Sequence, residues 1–301
     1  MPAPIPSARC SAAALLALAG MLLAPTLGCS RQSDTPASAS SGRLQIKGSD
    51  TMVHLVTNWA QAYMQEHPDT RIAVTGGGSG TGIKAIINGT AELCMSSREA
   101  SPEERSQAAA RGRGFFEYPV CLDGIAVVVH PDNPIEALSL EQLRAIFTGG
   151  VKRWRELGGP DEPITVLSRE SNSGTYVFFR EHVLGGADFD AAVRLMPASA
   201  AIVQAVSQDR WSIGYVGLGY AQAAPVKVVA VRADEATAPV RPTPETVRQR
   251  LYPIARPLYL YAVREPHGLV KAFIEFALSP RGQQIAAESG YVPLAGEPGS
   301  S

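Results

Sequence analysis

The chain is poor in metal ligands. It has four cysteines and five histidines, with no Cys-x-x-Cys or His-x-x-x-His spacing among them. Zinc sites are built from such clusters, so no metal centre is expected. Charge is scarce as well: 27 Lys and Arg against 28 Asp and Glu leave a net charge of −1, and the basic residues are scattered. A protein without a basic field does not hold a polyphosphate backbone, which excludes nucleic acid as a partner. The N-terminal apolar stretch, Ser11 to Leu27, falls short of the roughly 20 residues that span a bilayer and is interrupted by Pro25, so a permanent membrane helix is the weaker reading. What remains is 301 residues, 45% hydrophobic, enough to bury a real core and of a size that suggests two lobes.

The first 29 residues read as an export signal, with Arg9 ahead of the apolar stretch. Thr26-Leu27-Gly28-Cys29 resembles a bacterial lipoprotein cleavage box, which implies lipidation of Cys29 and attachment of an exported protein at the periplasmic or cell-surface side of a membrane, with ordinary secretory cleavage that leaves Cys29 a bystander as the alternative. Residues 30–43 are small and polar and suit a flexible tether. Beyond them only Cys94 and Cys121 remain. Export permits a disulfide between them, and two buried free thiols on strands are equally compatible with the sequence.

From Leu44 onward, strand-like and helix-like runs alternate, the pattern of an α/β fold. Leu44-Gln45-Ile46 leads through Gly48-Ser49-Asp50 into a helix with Met52, Leu55, Val56, Trp59 and Tyr63 on one face, capped by Ser49 or Asp50. Arg71 to Val74 is the next strand, followed by a glycine loop and a helix bearing Ile83, Ile86 and Ile87. Glu92 to Met95 is a third strand, and Ser101-Pro102-Glu103-Glu104 and Ser139-Leu140-Glu141-Gln142 are capping boxes. Ile125 to Val129 is a buried strand, and further strands are expected at 165–167, 213–216, 226–231 and 258–263. One helix is expected from about Leu269 to Glu288. Trp59, Phe147 and Phe178 fall at core-facing positions.

Two loops carry the chemistry. Gly76-Gly77-Gly78-Ser79-Gly80-Thr81-Gly82 and Ser168-Arg169-Glu170-Ser171-Asn172-Ser173-Gly174-Thr175 each follow a strand and open a helix. Such turns aim free N–H groups and the positive end of a helix dipole at one spot, which suits an anion. The glycine loop is no P-loop, because Lys84 comes one place late, and no nucleophile elbow, because Gly77 and Thr81 flank Ser79. A dinucleotide Gly-x-Gly-x-x-Gly register does not fit either. Arg169 offers the guanidinium fork that grips an oxyanion, or alternatively a surface pairing with Glu170 or Asp161. Each loop alone is also compatible with a plain turn.

Several ordered motifs carry a resemblance: Gly48-Ser49-Asp50-Thr51-Met52, Gly77-Gly78-Ser79-Gly80, Met95-Ser96-Ser97-Arg98-Glu99, Ile146-Phe147-Thr148-Gly149 with Trp154, and Arg169 through Thr175. Over about residues 44–294 the chain resembles the phosphate-binding proteins of bacterial phosphate ABC importers. The resemblance implies an α/β, two-lobed periplasmic-binding-protein fold of the second class, each lobe a mostly parallel mixed sheet flanked by helices, with two hinge crossings. Lobe 1 would be 44–130 plus 255–296, lobe 2 131–254, and 297–301 a disordered tail. It also implies a phosphate shell of Thr51 with the backbone of Met52, Ser79, Ser97, Arg169, Ser173, Gly174 and Thr175. Many members carry an aspartate where Ser97 stands, accepting the proton of bound phosphate, while others have Ser-Ser-Arg. Asp50, Asp123 and Glu170 are the candidates for that acceptor here.

The expected protein is therefore a monomeric, non-enzymatic receptor without cofactor, taking inorganic phosphate to an ABC permease in the inner membrane. A receptor for sulfate or molybdate and an exported phosphoesterase using Ser79 or Ser173 are the alternatives, as is a structural or signalling lipoprotein.

Overall fold

The computed structural model describes residues 42–294. The signal, Cys29, most of the tether and the C-terminal tail expected from the sequence lie outside the described residues. The tether's last two positions do not: Gly42 and Arg43 already pair with Thr70 and Arg71 in a sheet.

The first half of the molecule runs β1 (Gly42–Gly48), a 3-10 turn (Asp50–Met52), α1 (Val53–Glu66), β2 (Thr70–Thr75), α2 (Ser79–Asn88), β3 (Leu93–Ser96), α3 (Pro102–Ala109) and β4 (Phe116–Val129). There follow β5 (Ala137–Ser139), α4 (Leu140–Phe147), β6 (Thr165–Arg169), α5 (Gly174–His182), β7 (Arg194–Met196), α6 (Ser199–Gln208), β8 (Ser212–Gly217), α7 (Leu218–Gln222), β9 (Lys227–Arg232) and α8 (Pro244–Arg248). The chain then returns through β10 (Ala255–Ala262), α9 (Gly268–Leu278) and α10 (Pro280–Glu288). The strands form one curled mixed sheet in the order β2-β1-β3-β10-β4-β8-β6-β7, with β9 beside β4 and β5 beside β9.

β4 joins the two halves of this sheet. Its residues up to Gly124 pair with β10, and Ile125 to Val129 pair with β8. The change of partner thus falls between Gly124 and Ile125, ahead of the boundary expected after residue 130, and on the returning strand Ala255 lies opposite Gly124. The strand also begins earlier than expected. Pro119, which has no N–H to donate, stands where the β4–β10 register shifts.

Ile125 to Val129 is apolar throughout because helices cover both of its faces. Ile125, Val127 and Val129 pack with Phe147, Trp154, Phe179 and Tyr215, while Ala126 and Val128 pack with Ile202 and Val216. In the other half, Leu44, Ile46, Leu55, Trp59, Leu260 and Phe273 fill one face of the sheet and Ile83, Ile86, Ile87 and Tyr261 the other. The buried Trp59 indole donates to the Gly282 carbonyl at 2.7 Å. Both capping boxes form as expected, at Ser101 and Ser139.

Three local expectations are corrected. Neither Ser49 nor Asp50 caps the first helix through its side chain. The last helix is two, because Ser279 accepts from the Gly282 N–H and Pro280 starts a new first turn. Phe179, rather than Phe178, is the core residue of α5, its ring stacked on Tyr215 at 3.9 Å. Cys94 and Cys121 are buried free thiols on β3 and β4.

The glycine loop contains a packing device of its own. A Cβ on Gly82 would stand 2.5 Å from the Gly48 Cα and from the Lys47 carbonyl oxygen, and 2.8 Å from Cys94 Sγ, so α2 can lie on β1 only with glycine there. Gly82→Ala is expected to cost about 1–3 kcal/mol of unfolding free energy by overpacking, measured by denaturant titration. A loss under about 0.5 kcal/mol would contradict this contact.

Candidate functional site

Gly48 ends β1 with a φ of +146°, where a Cβ would collide with the Met95 carbonyl, and so releases Ser49 and the Asp50–Met52 turn beside the end of β3. Gly77 and Gly78, with φ of +118° and +96°, fold the chain so that α2 starts at Ser79. Ser173 caps α5, its Oγ accepting the Thr175 N–H at 3.2 Å, and Gly174 is that helix's first residue. These starts meet. A Cβ on Gly174 would stand 2.3 Å from Ser79 Oγ and 2.8 Å from Ser97 Oγ, so the absence of a side chain lets α5 close on the opposite half of the sheet.

The hydroxyls at the junction are buried and linked. Ser97 donates its N–H to Ser79 Oγ at 3.0 Å, the two hydroxyls are 3.3 Å apart, and Ser49 Oγ donates to Ser97 Oγ at 2.9 Å. Across the cleft, Thr51 Oγ1 and Thr175 Oγ1 are 2.9 Å apart. Asn172 adds two further bonds, accepting the Gly80 N–H at 3.1 Å and donating Nδ2 to the Gly77 carbonyl at 3.1 Å. The first-turn N–H groups of α2 and α5 have no partner within their helices, and their dipoles add positive potential here.

Arg169 is 1% exposed at the end of β6. It pairs with neither Glu170 nor Asp161. Its Nη1 donates to Asp50 Oδ2 at 3.1 Å and to Ser199 Oγ at 3.0 Å, its Nη2 to the Pro197 carbonyl at 2.9 Å, and its Nε to the Met196 carbonyl at 3.2 Å. Asp50 Oδ2 also accepts the Ser199 N–H at 2.7 Å, so Asp50 ties the two halves together instead of capping a helix. Asp161 pairs with Arg153 and Arg155.

A second buried cation lies beneath the junction. Arg256, 2% exposed, donates Nη2 and Nε to Asp123 Oδ2 at 2.9 and 3.2 Å, Nη1 to the Ser97 carbonyl at 2.8 Å, and Nη2 to Thr175 Oγ1 at 3.0 Å. It stands opposite Asp123 in the β10–β4 pairing, next to the point where β4 changes partner. Asp123 Oδ1 accepts the Leu218 N–H at 3.0 Å. Burial pushes the Asp123 carboxyl above the ordinary carboxylate value, against the pull of Arg256, and the same burial holds the guanidinium below its ordinary value.

The structure therefore brings together Thr51, Ser79, Ser97, Ser173, Gly174 and Thr175, and ties Arg169 to Asp50, the neighbour of Thr51 in sequence. Two expected members stand apart. The Met52 N–H is engaged with the Ser49 carbonyl at 3.1 Å and its side chain is in the core, while Glu170 is exposed. Of the other acceptor candidates, Asp123 is engaged by Arg256 and Asp50 by Arg169. Arg256, Ser49, Asn172 and Ser199 were missed by sequence reasoning. Ser49 and Asn172 stand inside the quoted motifs without a site role assigned to them, and Arg256 left a trace as a lone charge inside the apolar run from Ile254 to Leu258.

A fold of this kind is shared by a known class. Residues 33–281 match the model of a PBP superfamily domain. The phosphate-binding protein PstS of Pseudomonas aeruginosa is 37% identical over 276 residues, covering 86% of this chain and 85% of that one. PstS of Bacillus subtilis is 32% identical, covering 93% and 92%. A Clostridium perfringens substrate-binding protein solved with bound phosphate superposes with a TM-score of 0.76 at 32% identity, over 84% of this chain and all of that one. The chain belongs to the PstS phosphate-binding protein family of the PBP superfamily.

Asp123→Ala leaves the Arg256 charge buried without a partner and is expected to destabilise the fold by about 3–5 kcal/mol. The double variant Arg256→Met with Asp123→Asn removes both charges and is expected to lose about 1 kcal/mol or less. Equal losses in chemical denaturation would show that the pair is not the reason.

Proposed function

We propose that this chain is an extracytoplasmic substrate-binding protein that holds inorganic phosphate where the Asp50–Met52 turn and the starts of α2 and α5 meet. It hands the anion to the membrane permease of an ABC importer. The observation that carries this reading is the contact of Gly174 with Ser79 and Ser97, which puts hydroxyls and helix N-termini from both sheet halves around one dry point. Thr51, Ser79, Ser97, Ser173, Gly174 and Thr175 would form the shell. Membership of the PstS family supports phosphate as the ligand.

Arg169 supplies the charge. Four of its five N–H groups are bonded to protein, which orients the fork and leaves one for the ligand among the described residues. Each charge-assisted hydrogen bond to the anion contributes about 1.5–3 kcal/mol, offset by dehydration of phosphate. No bond is broken in this cycle. Among the described residues neither Ser79 nor Ser173 has a histidine or carboxylate as side-chain partner, so neither serine has the base that a phosphoesterase nucleophile requires.

Release requires the halves to part. The two chain crossings, at 124/125 in β4 and 254/255 before β10, are the hinge, and the bonds across the cleft from Asp50, Thr51, Gly77 and Gly80, with that from Arg256 to Thr175, are among those that break. The receptor works as a monomer on the outer side of the cytoplasmic membrane, held by a lipid on Cys29 and spaced from the bilayer by the tether.

Calorimetric titration tests the reading. The native protein is expected to bind phosphate at one site, and Arg169→Ala to weaken binding by about 2–5 kcal/mol, since the anion and Asp50 both lose their partner. Unchanged affinity in that variant would overturn the assignment of the site.

A further inference from the structure

The chain returns to the hinge a third time. After α10, Gly290, with a φ of +81°, turns the backbone toward β4. There Val292 pairs antiparallel with Leu122: the Leu122 N–H donates to the Val292 carbonyl at 2.8 Å and the Val292 N–H to the Leu122 carbonyl at 2.9 Å. Leu122 stands just ahead of Gly124, after which β4 changes partner, and the two crossings are themselves bonded, Ile125 N–H to the Ile254 carbonyl at 2.8 Å.

Tyr291 and Val292 are both buried, in different cores. Tyr291 belongs to the cluster of the first half, with Cys121, Leu258 and Ile285, and Val292 to that of the second half, with Ile125, Tyr252 and Ile254. Leu294 is back on the first half, its N–H bonded to Gln283 Oε1 at 2.9 Å. Val292 is therefore a peg that the C-terminal segment sets into the opposite core beside the crossings.

The same segment reaches the Asp50–Met52 turn. The Tyr291 hydroxyl donates to the Thr51 carbonyl, and the Tyr220 hydroxyl, from α7 on the second half, donates to the Asp50 carbonyl at 3.0 Å. A carbonyl has no hydrogen to give, so each of these bonds has one direction. Because a peptide group is planar, a phenol held on its oxygen orients the whole unit, and two successive units of the turn are fixed in this way. The Tyr291 ring also carries α7. A Cβ on Gly219 would stand 2.7 Å from the Ser289 carbonyl oxygen and 3.2 Å from Tyr291 Cε2, so the second half rests on that ring through a glycine.

We infer that Tyr291 is a positioning residue for Thr51 and that Tyr291–Val292 is a third link across the hinge. Its ring receives α7, its hydroxyl holds the Thr51 carbonyl, and its neighbour is seated in the second core, so closure and the placement of Thr51 are one event. This rests on the reading that phosphate binds at the junction, and it adds what sets one of the anion's partners from behind. If Tyr291 served packing alone, its loss would lower the stability of the fold without a specific effect on the ligand.

Phosphate affinity is measured by calorimetry, and release by rapidly mixing the loaded protein with an excess of a fluorescent phosphate sensor. Tyr291→Phe keeps the ring and removes the hydroxyl. It is expected to release phosphate about five- to tenfold faster, with the association rate, obtained as release rate times association constant, within about twofold of native. Val292→Ala, which shortens the peg, is expected to speed release in the same direction. Tyr261→Phe is the control: its buried hydroxyl accepts the Ala100 N–H at 3.3 Å within the cluster beneath α2, and release is expected to be unchanged. Native-like release in Tyr291→Phe or in Val292→Ala would overturn the inference. So would equal acceleration in Tyr291→Phe and Tyr261→Phe, since binding would then follow fold stability alone. Absence of phosphate binding by the native protein would defeat the proposed function itself.

Discussion

A guanidinium and a carboxylate buried together where two strands change sheet halves are the constraint on which the rest depends. Arg256 and Asp123 face each other in register, and neither can be left alone without stranding a charge in the interior. Their remaining hydrogen-bonding capacity fixes what surrounds them: the carbonyl after β3, the start of α7 and the hydroxyl of Thr175. Two of those three bonds end on residues at the junction. The crossing point of the fold and the floor of the site are thus one object.

Around that floor, the close approach of helix starts replaces bulky side chains as the means of assembly. Gly174 lets α5 reach Ser79 and Ser97, and Gly82 lets α2 lie on β1. The glycine loop therefore serves two purposes: Gly77 and Gly78 turn the chain, and Gly82 seats the helix. Asp50 and Arg169 then bind the halves across the cleft, at a partly buried position where an ion pair is screened less than at the surface.

Much of the fold was legible because its elements carry strong local signals. The α1 face, the two capping boxes and the five-residue apolar run of β4 are each specified by neighbours in sequence. The failures have physical causes. The periodicity of α9 continues into α10, so the break at Ser279-Pro280 is visible only in the proline, and the first half of β4 is missed because a register shift cannot be foreseen from one strand. The candidate shell was legible as hydroxyls and glycines at strand ends. Arg256 was not, since its partner is 133 positions away and the meaning of a lone arginine in a strand is set by what stands opposite it.

The central claim is that the starts of α2 and α5 and the turn at Asp50 close on one phosphate. Amide chemical shifts of the isotope-labelled domain, recorded while phosphate is added, test it most directly. The largest changes are expected at Thr51, Ser79, Ser97, Gly174 and Thr175, groups from both halves moving together with one binding curve. Shifts that leave those amides unmoved, or that involve one half alone, would contradict it.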